Sequence, residues 1–239
     1  MNQINQNAAK ATVSVTRQRL SALRAPSDLS VEVNQADEAG RQALETSIAH
    51  RFEQQYKARI QHFLPYLLSL KEAGELDAVV GIRLASGAEL FLERYLDAPV
   101  EQAISHVVRG PIDRGQVVEI GNLAAAVPGT ASLLFAVLAI VLDRAGVRWV
   151  TCTATPQVKG MLDRLQFPTH TICNAEAAAM GDQAVEWGEY YASRPQVIVG
   201  DTRVAATVVM ENPLVANLVR DLDAHINQVA NTLRSGRPQ

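Results

Sequence analysis

The chain has 239 residues, 48% of them hydrophobic, enough apolar mass to bury one sizeable core without staples. A net charge of -3 argues against a nucleic-acid binder, and two cysteines without paired spacing, Cys152 and Cys173, argue against a disulfide framework or a structural zinc site. No apolar segment follows the first charges, and the longest apolar run, 133–142, is too short to cross a bilayer, so a cytoplasmic protein with no membrane or nucleic-acid partner is expected.

Residues 1–26 are polar, with Lys10, Arg17, Arg19 and Arg24 as their only charges, and are expected to form a flexible tail. Residues 27–239 are expected to form a single domain ending in a helical extension. The alternation at 29–33 predicts a strand. Apolar residues Leu44, Ile48, Phe52, Tyr56, Ile60 and Phe63, at steps of three and four, predict a helix over 40–63. Segments 77–85 and 89–96, joined through Ser86-Gly87-Ala88, predict a hairpin whose second strand carries Phe91, Glu93 and Tyr95 on one face. A short amphipathic helix over 100–108 follows.

The central unit has the clearest pattern. A strand over 116–124 leads through a turn at 127–130 into a buried helix, which Gly146 is placed to end in the left-handed conformation. A strand over 148–154 comes next, and Thr155 caps a helix whose first residue is Pro156. Links this short make the two strands parallel neighbours through a right-handed crossover. Strands at 171–174 and 196–199 and a helix from Pro213 to about Leu233 complete the expectation.

Glu119 lies mid-strand in an apolar run, where a carboxylate is costly unless it is paired or used. It would act as a general base or bind an ammonium group; the alternative is a salt bridge to Arg59 or Arg83. Gly121 permits a bulge beside it. Glu93 and Tyr95 would line an acceptor pocket, against the alternative of a Glu–Arg pair and a core tyrosine. Cys152 reads as a small core residue. The five histidines show no ligand spacing, which leaves His62 and His106 only as minor candidate bases and no metal site expected.

The run EIGNLA at 119–124, with ARIQHFLP at 58–65, GIR at 81–83, LFLERYLD at 90–97, TAT at 153–155 and WGEYY at 187–191, resembles the thermostable hemolysin family. That family is similar to acyl-homoserine-lactone synthases and, more distantly, to GNAT N-acetyltransferases. The link rests on Arg59 and Phe63, which repeat an Arg-x-x-x-Phe, and on Glu119-Ile-Gly-Asn122, which stands where the synthases have Glu-x-x-Arg. Asn122 departs from that pattern and removes a positive charge, so S-adenosylmethionine is not implied as the acceptor.

The resemblance implies an α/β, GNAT-like acyl-CoA N-acyltransferase fold, with a mixed central sheet whose fourth and fifth strands splay apart near Gly121 and Thr153. It also implies transfer of an acyl group from a pantetheine thioester, acyl-CoA or an acyl carrier protein, to the amine of a small amino-acid-like acceptor. Glu119 and Tyr95 would be catalytic. Leu123, Thr153 and the turn residues Gly129, Thr130 and Ala131 would hold the donor, and Arg59, Phe63, Arg83, Glu93 and Asn122 the acceptor. The turn has one glycine and no cation, a weak phosphate loop that favours carrier-bound donors, with Arg144, Arg148, Lys159 and Arg164 as a basic docking face; the alternatives are a plain strand-to-helix turn and ordinary solvated charge. The 187–191 stretch would wall an acyl tunnel or anchor the C-terminal segment to the surface. A membrane-active protein and a catalytically degenerate binding module are the competing readings.

Overall fold

The computed structural model describes residues 28–127 and 129–236. The tail expected at 1–26 and Pro128 of the expected turn lie outside them. Seven strands form one sheet: β1 (Leu29–Asn34), β2 (Tyr66–Glu72), β3 (Glu75–Leu84), β4 (Val117–Ala125), β5 (Trp149–Ala154), β6 (Thr169–Asn174) and β7 (Gln196–Asp201). Their order is β1-β2-β3-β4-β5-β7-β6, and β4–β5 is the parallel pair among antiparallel neighbours. The helices are α1 (Arg41–Tyr56), α2 (Val100–Val108), α3 (Thr130–Arg144), α4 (Pro156–Arg164), α5 (Thr202–Glu211), α6 (Pro213–Asp221) and α7 (Asp223–Ser235).

Strand alternation decides which helix covers which face. Leu68, Leu70, Val80 and Ile82 share a core with α3, α5 and α7, whereas Leu67 and Val79 pack with Leu44, Ile48 and Phe52 of α1. Helix α3 is apolar all round, and residues 134–142 are buried without a break. It ends as the sequence predicts. Gly146 has φ 74°, and the amides of Gly146 and Val147 donate to the carbonyls of Asp143 and Leu142, both at 2.9 Å. Thr155 caps α4 ahead of Pro156.

Three expectations are corrected. The first helix stops at Tyr56, because Lys57 takes a left-handed conformation (φ 54°) and the chain then runs without helix or strand to Pro65. The hairpin joins β2 to β3 through Ala73 and Gly74, both at positive φ, in a two-residue turn whose twist suits antiparallel strands. Segment 89–96 is not a strand: Phe91–Tyr95 forms a 3₁₀ turn, and β3 pairs directly with β4. Phe91, Glu93 and Tyr95 therefore share no strand face. At the C-terminal end two helices, α6 and α7, replace the single one expected from Pro213, and α5 precedes them.

Candidate active site

β4 and β5 pair from Val117↔Trp149 to Ile120↔Cys152, and the pairing stops there although β4 continues to Ala125 and β5 to Ala154. The cause lies in β4. Its register with β3 slips by one residue between Val79 and Gly81, and Asn122 adopts φ 51°, a conformation asparagine tolerates better than most side chains. The bulge predicted from Gly121 thus centres on its neighbour. Beyond it the two strands part, and a cleft of about 560 Å³ opens between them.

Glu119 lines this cleft at 4% exposure. Its Oε2 accepts from the Phe91 amide at 2.8 Å and its Oε1 from the Leu92 amide at 2.9 Å, while Arg83 Nη1 stands 4.0 Å from Oε2. Burial pushes its pKa up, opposed by the Phe91 amide, the Arg83 charge and the Leu92 amide. A carboxyl group raised in this way and facing a cleft has the character of a general base or an ammonium ligand. It also fixes the 3₁₀ turn that carries Phe91 and Tyr95.

Tyr95 lines the cleft too, and its hydroxyl lies 2.5 Å from that of Tyr191 and 3.4 Å from Met180 Sδ. Burial, then the Tyr191 hydrogen bond, keeps its pKa far above the usual phenol value, so Tyr95 stays protonated and able to donate. Trp187 and Tyr190 wall the same end, with Trp187 5.4 Å from the Phe91 ring and the Tyr190 hydroxyl donating to the Thr153 carbonyl at 3.0 Å.

The remaining candidates divide. Phe63, Arg83, Asn122, Leu123, Gly129, Ala131 and Thr153 line the cleft. Asn122 has a structural task as well: its Oδ1 accepts from the Leu64 amide at 2.9 Å and ties segment 57–65 to β4. Thr130 does not line the cleft; its hydroxyl donates to the Asp77 and Val127 carbonyls, and its amide donates to Val127. Arg59 is exposed, lies off the cleft, and is not the partner of Glu119, a place Arg83 takes.

Glu93 lies off the cleft as well. Its carboxylate accepts from Arg114 at 2.7 and 2.8 Å and from the amides of Leu90 and Val100, and Arg114 holds its pKa down to about 2. This is the Glu–Arg pair weighed as the alternative. Cys152 is buried with its pKa pushed up to about 12 by burial, the environment of a core thiol rather than a nucleophile. His62 lines the cleft and His106 does not. Among the described residues no cluster of His, Cys, Asp or Glu could hold a metal.

The expected docking face is largely engaged in other contacts. Arg144 pairs with Asp223, Arg148 with Asp201, and Lys159 donates to Thr171 and Gln196. Sequence reading missed the amides of Phe91 and Leu92, the hydroxyl of Tyr191, and Arg51, which reaches the cleft from α1. The Glu-Arg-Tyr run of the turn was visible, but its alternation imitates a strand.

Comparison with solved structures places this fold among acyl-homoserine-lactone synthases. The synthase LasI matches with a TM-score of 0.50 at 12% identity, covering 74% of this chain and 94% of LasI. The CoA-dependent synthase BjaI, solved with SAM and isopentyl-CoA, matches with a TM-score of 0.52 at 10% identity, covering 80% and 98%. FeeM, an N-acyl amino acid synthase from uncultured soil microbes, matches at 0.48 and 14% identity, covering 72% and 88%. No curated protein matches the chain. The family model for thermostable hemolysin matches residues 34–206, most of the sequence, and the chain belongs to that family.

Proposed function

We propose that the chain is an N-acyltransferase that moves an acyl group from a pantetheine thioester, on coenzyme A or a carrier protein, to the amine of a small amino-acid-like acceptor. The parting of β4 and β5 carries this reading, because it opens a cleft with a buried carboxylate on one wall and a protonated tyrosine on another. The thioester arm lies between the parted strands, along Leu123 and Thr153. The acceptor amine attacks the carbonyl carbon, a C–N bond forms and the C–S bond breaks. Glu119 takes the ammonium proton, directly or through one water, and passes it to the leaving thiolate, to which the Tyr95 hydroxyl donates a hydrogen bond. Arg83, beside Glu119, attracts an acceptor carboxylate.

The test is mass spectrometry of the purified chain incubated with acyl-CoA and acyl-carrier-protein mixtures and a pool of amines. Amide products that need both donor and protein support the reading; no amide from any combination removes it.

A further inference from the structure

Three arginines line the cleft, and Arg83 stands beside Glu119, where the proposed reaction uses it. The other two, Arg51 on α1 and Arg164 at the end of α4, are exposed, and among the described residues neither has a hydrogen-bond or ion-pair partner. Their helices are joined by a hydrogen bond from Gln55 Nε2 to Gln157 Oε1 at 3.2 Å. Arg51 sits one turn before Gln55. Arg164 sits two turns after Gln157 with its guanidinium drawn back along α4, where Nη1 would lie 3.5 Å from a Cβ placed on Gly160. Two unpaired guanidiniums thus line the cleft from two helices that an uncharged amide bridge joins. The acidic groups of the cleft belong to other walls, Glu119 on β4 and Glu186 on the 177–193 segment.

Guanidinium forks match phosphate oxygens in pairs, and two unpaired guanidiniums lining one cleft favour an anion there. The first turn of α3, whose Gly129, Ala131 and Ser132 line the same cleft, adds helix-end amides but no side-chain charge. We propose that Arg51 and Arg164 bind the phosphate of the donor's phosphopantetheine arm at the mouth of the cleft, an inference that rests on reading the cleft as an acyl-transfer site. It supplies the cations that the 127–132 turn lacks. The same phosphate occurs in coenzyme A and on a carrier protein.

Calorimetric binding to the full chain tests this with four probes: coenzyme A, dephospho-coenzyme A, phosphopantetheine and unphosphorylated pantetheine. The three phosphorylated probes should bind about 10- to 100-fold more tightly than pantetheine. Arg51→Met and Arg164→Met should each lower that advantage about tenfold, the double variant should abolish it, and pantetheine binding should not change. Arg203→Met, an exposed arginine outside the cleft, is the control. Equal binding of all four probes, or a double variant that binds them as the wild type does, overturns the site. A gain with coenzyme A but none with phosphopantetheine overturns it in favour of the ADP end. Competition against phosphopantetheine by a carrier protein bearing its arm, but not by the same protein without it, assigns the carrier as a source; no competition confines the source to coenzyme A, and both results keep the site. Arginine-dependent binding with no transfer to any amine keeps the site and removes the transfer reading. Transfer from acyl-N-acetylcysteamine and acyl-CoA at equal rates, unchanged in the double variant, does the reverse.

Discussion

Glu119 accepts two backbone amides, one on each oxygen, and this changes what its substitution can show. In Glu119→Gln one oxygen becomes an NH₂ group that faces an N–H, so a buried amide loses its acceptor and stability should fall by about 1–3 kcal/mol. If Glu119 is also the base, turnover per folded molecule should fall about 10²- to 10⁴-fold. The pH profile separates the two roles. The wild-type rate should rise as pH passes a value above the ordinary 4.5, and that limb should vanish in the variant. A variant that melts early yet keeps its turnover and its limb makes Glu119 purely structural.

Glu93 titrates in the opposite sense. Its folded pKa of about 2 lies below the ordinary 4.5, so the stability it contributes is present above 4.5 and is lost as pH falls toward 2. Glu93→Gln should cost about 1.5–3 kcal/mol at neutral pH and flatten the acid side of a melting-temperature profile. An unchanged acid limb would show that the Arg114 pair contributes nothing. The sequence showed that both carboxylates were unusual but not which one faced a cleft, because that depends on a turn that Glu93 holds through the Leu90 and Val100 amides and Arg114, and Glu119 through the Phe91 and Leu92 amides.

Among the elements, those legible in the sequence were set by local rules: the Thr155 cap, the Gly146 stop, the all-apolar α3 and the short β4-to-β5 crossover. Those misread were set by distant partners. The apolar spacing of Ile60 and Phe63 continues that of α1, but the chain leaves the helix to meet segment 177–193, where the Arg59 amide donates to Glu186 and the Glu189 amide to Tyr56. Gly188 is the point of closest approach. It has φ 52° and ψ -123°, and a Cβ there would lie 2.2 Å from the Tyr56 carbonyl oxygen. Gly188→Ala should cost about 1–3 kcal/mol in backbone conformation alone, with the clash in addition. At roughly 2–4 °C per kcal/mol the melting temperature should drop measurably. Proteolysis should cut first within 177–193, since that segment loses its seat; a melt and a cleavage pattern like those of the wild type would show the contact to be slack.

For the whole molecule, the fold class could be read from element order, but the cleft's cations could not, because Arg51 and Arg164 lie 113 positions apart and reach one cleft only through the tertiary fold. The family's name poses a question at the same scale. No helix among the described residues is long and apolar enough to cross a membrane, and the most apolar one, α3, is buried in the core. Lysis by direct insertion would need an exposed apolar face, whereas the proposed reaction joins an alkyl chain to a charged amino-acid-like group and so makes a detergent-like product. The two routes give different outcomes in a vesicle-leakage assay. If the transfer reading holds, the chain alone should release no dye from phospholipid vesicles. The chain with a long-chain acyl donor and an amine acceptor should release it after a lag, as product accumulates. Glu119→Gln should lengthen that lag in proportion to its lost turnover, and a short-chain donor, whose product buries too few methylenes to enter a bilayer, should abolish release. Prompt leakage from the chain alone, indifferent to donor and to Glu119, would assign the lytic activity to the protein surface.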